Sequence, residues 1–173
     1  MSKLVKWIDF FLSWILVVLT VLMVLDVTWQ VFTRFIMKDP SSFTEELATF
    51  LLIWIGLLGS AYALRQKAHL GIDILTIKMS PKFRFIWEFV TYSVVIVFAS
   101  LVLIWGGIHL VNITLYLNQI SAALRIKMGY IYSVVPITGF LFIIYSIHFM
   151  IEAYQHLKKH QYTLEKTTGV GID

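Results

Sequence analysis

The chain has no cysteine, only three prolines and little charge: 14% of its 173 residues are Asp, Glu, Lys or Arg. Without cysteine there is no disulfide framework, no thiolate nucleophile and no thiolate-bound cluster. A soluble domain is about one quarter charged, so this chain cannot cover a water-exposed globule with polar side chains. Also missing are a P-loop, an HExxH pair and a GxSxG elbow, and the lone Gly169-Val170-Gly171 follows no strand. Enzymatic chemistry is not expected. Internal repeats of the kind that many complete transporters carry are absent too. What the chain has instead is 59% hydrophobic residues and a mean hydropathy of +0.82. Its solvent must be lipid. The net charge of +4 is small and builds no basic face, which excludes nucleic acid as a partner.

Four apolar stretches stand between charged breaks: Phe10–Leu25, Leu47–Leu64, Phe89–Leu124 and Met128–Ile151. A helix needs about 20 residues to cross about 30 Å of hydrocarbon. The first stretch keeps its helical pattern past Asp26 to Ile36. The third holds thirty-six uncharged residues, too many for one upright crossing and too few for two. It reads as one long tilted helix that yields at Gly106-Gly107. The expected architecture is an all-α integral membrane protein, a single domain over 1–173 with spans at about 8–36, 44–65, 85–118 and 129–153.

The connections are short. Pro40 ends the first helix, and Ser42-Phe43-Thr44-Glu45 has the spacing of a capping box that opens the second. Leu70, Ile74 and Ile77 share one side of a segment closed by Ser80-Pro81, which predicts a short cytoplasmic interfacial helix over about 70–80. Lys3 and Lys6 ahead of the first run imitate a signal peptide. The run outlasts a signal's apolar region and no small-x-small site follows, so it is expected to stay as an anchor. Orientation follows from counting basic residues by loop. Lys3, Lys6, Arg65, Lys67, Lys78, Lys82, Arg84, Lys158, Lys159 and Lys166 fall on one side; Arg34, Lys38, Arg125 and Lys127 fall on the other. Ten against four places both termini in the cytoplasm.

Ionisable groups at bilayer depth are costly unless paired, so each one draws attention. Asp26, Gln30 and Arg34 step by four along one face and read as a polar seam against a neighbouring helix, with Arg34 snorkelling outward. Glu45 and Glu46 open the second helix, where the dipole favours acids and Glu45 can close the cap. Gly56 with Ser60, and Gly59 with Ala63, are small-xxx-small pairs that admit a close helix, inside the molecule or in a partner. Arg65, His69 and Asp73 again step by four and read as a clasp turning the chain into the interfacial helix. Glu152, His156 and His160 share a face past the fourth span, read as an exposed amphipathic helix end rather than a zinc site. His109 lies roughly 35 Å from the cytoplasmic start of the third helix and His148 roughly 8 Å from the cytoplasmic end of the fourth, so they cannot grip one haem iron.

Phe43-Thr44-Glu45-Glu46-Leu47, then Trp54, Gly56 and Gly59, then Arg65, His69 and Asp73, resemble the signature of one family. Gly129-Tyr130-Ile131-Tyr132 leading to Pro136-Ile137 is similar too. The family is the small membrane subunit of tripartite ATP-independent periplasmic (TRAP) transporters, the DctQ-like proteins. The resemblance covers the chain from the Asp26–Arg34 region through the fourth span. One departure is Lys127, where many members have proline; it bears on the shape of the second outer loop.

The resemblance implies a multi-pass protein of the bacterial inner membrane. In such a transporter a periplasmic binding protein captures an organic acid and delivers it to a membrane pair, whose large subunit moves it with a sodium gradient. Importers of sialic acid are the nearest in kind; a C4-dicarboxylate or similar acid is the other reading. The small subunit is expected to bind no substrate, metal or cofactor, to brace the large subunit within membrane lipid, and to help dock the binding protein. Residues expected at helix or partner interfaces are Asp26, Gln30, Arg34, Trp54, Gly56, Gly59, Arg65, His69, Asp73 and Pro136. Lys38, Asp39, Glu45, Glu46, Arg125 and Lys127 are expected on the docking side. The alternative from another class is the membrane anchor of a redox enzyme, binding haem or quinone.

Overall fold

The computed structural model describes residues 3–39, 41–66 and 81–168. Among them four helical segments are long and apolar enough to cross a membrane: Val5–Met37, Ser42–Arg65, Phe85–Tyr116 and Met128–Gln155. Helix α1 (Lys3–Phe32) closes in a π-helical turn, Thr33–Met37, and α2 is Ser42–Arg65. Helix α3 (Pro81–Phe98) passes through a π-helical stretch, Ala99–Gly106, into α4 (Gly107–Tyr116). A short α5 (Met128–Tyr132) leads into α6 (Val134–Thr168). The chain is an all-α membrane protein. The predicted interfacial helix over 70–80, with His69 and Asp73, lies outside the described residues, as does Pro40.

Local chemistry explains most of the breaks. At the end of α1 the backbone turns left-handed at Lys38 (φ 55°), and the N–H groups of Lys38 and Asp39 both return to the Thr33 carbonyl. That satisfies an orphan carbonyl of the helix end. The capping box predicted at Ser42 does not form. Ser42 is already helical, the flanking residue is Ser41, and no side chain caps the start. Thr44 instead donates its hydroxyl back to the Ser41 carbonyl at 2.9 Å. In the third span the departure from α geometry precedes the predicted Gly106-Gly107 point, running from Ala99 and ending at Gly106. Between α5 and α6 the cause is Pro136, which has no N–H to return to Tyr132 and whose ring crowds that carbonyl. The chain breaks at Ser133, one residue beyond Tyr132.

Helix α1 packs on α2, α2 packs on α6, and α6 packs on α3, the π-helical stretch and α4. The spans therefore stand in a row, first, second, fourth, third, instead of closing into a ring. Only 6% of the most apolar window of the first span is buried, against 33% for the fourth. Val5 and Leu12 of α1, Leu58, Ala61 and Leu64 of α2, and Val134, Tyr145 and Phe149 of α6 form the core of the row. The third and fourth spans meet through glycine on both sides. A methyl on Gly107 would stand 2.9 Å from Pro136 Cδ, and one on Gly139 would stand 2.9 Å from Leu103 Cβ and 3.3 Å from the Ile104 nitrogen. Absent side chains let the backbones approach closely, which is how helices associate where lipid removes the hydrophobic drive.

Candidate functional site

Two polar clamps hold the row, one near each end of α2. At one end is Glu46. Its Oε1 accepts the Ala122 N–H at 3.0 Å, and its Oε2 accepts the N–H groups of Ala123 at 2.9 Å and Leu124 at 2.7 Å. Three successive backbone donors form a nest for one carboxylate, and charge-assisted bonds of this kind are about twice as strong as neutral ones. The loop from 117 to 127 is built around that contact. Asn118 (φ 49°) and Arg125 (φ 53°) take left-handed backbone, Ile120 and Lys127 pair as an antiparallel bridge, and the Ile126 N–H donates to the Ser121 hydroxyl at 3.2 Å. Trp54, two turns further along α2, donates its indole N–H to the Ile131 carbonyl at 3.1 Å.

At the other end Arg65 Nε donates to Asp9 Oδ2 of α1 at 2.9 Å, with the two side chains 14% and 24% exposed. The guanidinium also lies 5.6 Å from the ring centre of Phe149 on α6, a cation–π arrangement, and Tyr92 of α3 stacks on that ring at 5.2 Å. One side chain thus links α1, α2 and α6. Tyr145 is fully buried and its hydroxyl neighbours the Asp9 carboxylate, without an aligned hydrogen bond. Nineteen residues separate Glu46 from Arg65, about 28 Å of helix, which matches the ~30 Å thickness of a hydrocarbon core. The clamps mark its two boundaries.

Several predicted residues have partners within the chain that the sequence did not name. Glu46, assigned to docking, has its carboxylate engaged inside the chain, because the 122–124 donors reach it first. Lys38, Asp39, Glu45, Arg125 and Lys127 are exposed at the same end. Arg65, read as a clasp toward His69 and Asp73, is held by Asp9; the remainder of that clasp lies outside the described residues. In the seam, Asp26 is buried with Oδ2 unpartnered, while Arg34 is exposed. The three seam residues are not hydrogen-bonded to one another. Gly59 faces Leu16 of α1, its added methyl 4.0 Å from Cδ2, whereas Gly56 opens onto space. The small-residue strip is thus internal at one glycine and open at the other. Pro136 lies against Gly107. His109 is exposed on α4, and His148 tilts against Phe149 on α6. Among the described residues no three His, Asp or Glu side chains converge as a metal site.

Sequence reading missed Asp9, Tyr145, Phe149 and the Gly107 and Gly139 crossing. Asp9 carried a usable signal. It sits at the mouth of the first apolar run, at the depth that Arg65 occupies on the next, antiparallel helix. The 122–124 nest carried none, being backbone.

Four apolar helices in a row, joined by a polar clamp near each end of α2, define a multi-pass helical membrane protein. Comparison with known proteins narrows this. The family model described as "Tripartite ATP-independent periplasmic transporters, DctQ component" matches residues 23–156. The sialic acid TRAP transporter small permease protein SiaQ of Vibrio cholerae is 39% identical over 57 residues, 33% of either chain. A TRAP transporter small permease protein of Haemophilus influenzae is 26% identical over 141 residues, 82% of this chain and 86% of the relative. The sialic acid TRAP transporter permease protein SiaT of Haemophilus influenzae is 31% identical over 113 residues, 65% of this chain but 18% of that longer protein. The chain belongs to the DctQ family. It is a multi-pass component of a transporter in the bacterial inner membrane, and not an enzyme.

Proposed function

We propose that this chain is the small subunit of a sodium-driven, binding-protein-dependent importer of an organic acid, sialic acid foremost. It braces a large transport subunit and helps present the complex to a periplasmic binding protein. The family match over residues 23–156 carries this reading. The SiaQ and SiaT relatives support the substrate. That SiaT is a far longer permease, of which this chain matches 18%, supports a large membrane partner. The row of helices supports bracing, because it offers long lateral faces. In reconstituted vesicles the chain alone should move no sialic acid. With its large subunit, binding protein and an inward sodium gradient, uptake should appear. Sodium-driven uptake by the chain alone would sink the bracing role.

Both termini are cytoplasmic in this reading, supported by the ten-to-four distribution of basic residues. The clamped 117–127 loop then faces the periplasm, with its own Arg125 and Lys127 exposed for docking. Reporter fusions after Lys38 and Lys127 should read as periplasmic, and one after Pro81 as cytoplasmic. A reversed reading at any of the three overturns the orientation.

A further inference from the structure

The two edges of the row differ in chemistry. Across mid-membrane the exposed face of α1 is apolar, with the unpartnered Asp26 and the exposed Arg34 displaced toward its Lys38 end. Its small polar residues are satisfied by their own helix: Ser13, Thr20 and Thr28 donate to the carbonyls of Phe10, Leu16 and Val24. That face suits lipid. On the third span, at the opposite edge, Trp105 of the π-helical stretch and His109, Asn112 and Tyr116 of α4 recur every three or four residues and all are exposed. Neither His109 nor Asn112 has a hydrogen-bond partner among the described residues.

Their depth follows from the contacts around them. Trp54 is eight residues past Glu46, about 12 Å deeper along α2, and its indole bonds the Ile131 carbonyl. Gly129 lies against Leu115 and Gly107 against Pro136. In that antiparallel register Asn112 is level with Ile131 and Tyr132, and His109 with Val134 and Val135. The two polar groups therefore sit about 12 and 16 Å inside the Glu46 boundary, near the middle of a ~30 Å hydrocarbon layer. Unmet donors and acceptors are expensive at that depth and belong against protein, not lipid tails.

We infer that the His109–Asn112 face of α4 is the surface that receives the large subunit, through a transmembrane helix that offers hydrogen-bonding side chains at mid-membrane. The inference rests on the proposed two-subunit transporter and adds which edge of the row makes the contact. The apolar outer face of α1 is left to lipid.

The test uses the full chain co-expressed with its large subunit. A photo-crosslinking residue is placed at Trp105 or Tyr116, and for comparison at Val21 or Leu25. Crosslinks to the large subunit should form from the third-span positions and not from α1. Replacing His109 or Asn112 with leucine should lower the co-purified large subunit by about threefold each, the size of one interhelical hydrogen bond in a membrane. The leucine chains purified alone should be as thermally stable as the parent, since leucine suits lipid. Crosslinks only from α1, only to lipid, or only to a second copy of this chain overturn the assignment, as do leucine variants that co-purify at the parent level. If the parent chain itself fails to retain the large subunit, the two-subunit reading falls. If it retains that subunit but crosslinks from α1, the chosen edge alone falls.

Discussion

Replacing Glu46 with alanine is expected to free the loop between the third and fourth spans, raising amide exchange at Ala122, Ala123 and Leu124 by about tenfold or more. All three N–H groups end on one carboxylate, so a single substitution removes three charge-assisted bonds together. Left-handed backbone is tolerated at Asn118 but unfavourable at Arg125, where it persists because surrounding contacts impose it. Once the carboxylate is gone, those turns should relax. Glutamine keeps one acceptor oxygen but sets an NH2 group against the remaining donors, so Glu46→Gln should fall between parent and alanine. Aspartate is one methylene too short to reach the nest and should behave like alanine. Exchange at 122–124 that stays at the parent rate in Glu46→Ala would show that the loop holds itself. The same variant separates docking from loop order. If uptake at limiting binding protein falls with Glu46→Ala, and equally with charge reversal of Arg125 and Lys127, the loop presents those charges. If only Glu46→Ala lowers it, loop shape matters and the charges do not.

Hydropathy made the four spans legible because lipid imposes long uncharged runs. The same uniformity hid how the spans are arranged. Every face of an apolar helix reads alike, so the order first, second, fourth, third is not written in any one segment. It depends on pairs such as Gly107 with Pro136 and Gly139 with Leu103, whose members lie 29 and 36 residues apart. Glycines in an apolar run announce close packing without naming the neighbour. Polar positions were easier to find than to explain. Trp54 and Glu46 stand out as sequence features, yet their partners are main-chain groups 76 to 78 residues away, and main chain has no signature. The capping box failed for a local reason: the helix start lies one residue earlier than the box requires, with Ser41 flanking it and Thr44 bonded backward. The long third stretch was recognised as irregular, but its π-helical turns begin at Ala99, ahead of the glycines expected to cause them.

Removing either partner of the Asp9–Arg65 pair is expected to cost about 2–3 kcal/mol. Breaking a fully buried pair costs about 3–5 kcal/mol, because the survivor is left charged and unsolvated. Here Asp9 is 24% exposed and Arg65 14% exposed, so water and head groups recover part of the loss. Asp9 without Arg65 would still face the buried Tyr145 hydroxyl, a single neutral neighbour for a full charge. Arg65 without Asp9 would keep its place over Phe149, a weaker interaction. Asp9→Ala should therefore be somewhat milder than Arg65→Ala. The double replacement should cost clearly less than the sum of the two, because no stranded charge remains. Arg65→Lys keeps the charge but loses the planar group that bonds and stacks at once, and should fall between parent and alanine. The readout is thermal unfolding of the purified chain in nanodiscs, followed through the parent and the three variants of the cycle. Losses that simply add would mean that the pair contributes no coupling, and that the first and second spans are held by their apolar contacts, Val5, Leu12 and Leu16 with Leu58, Gly59, Ala61 and Leu64. A coupling of about 1 kcal/mol or more, in the range of contacting residues, would place this clamp among the contacts that fix α1 at the edge of the row.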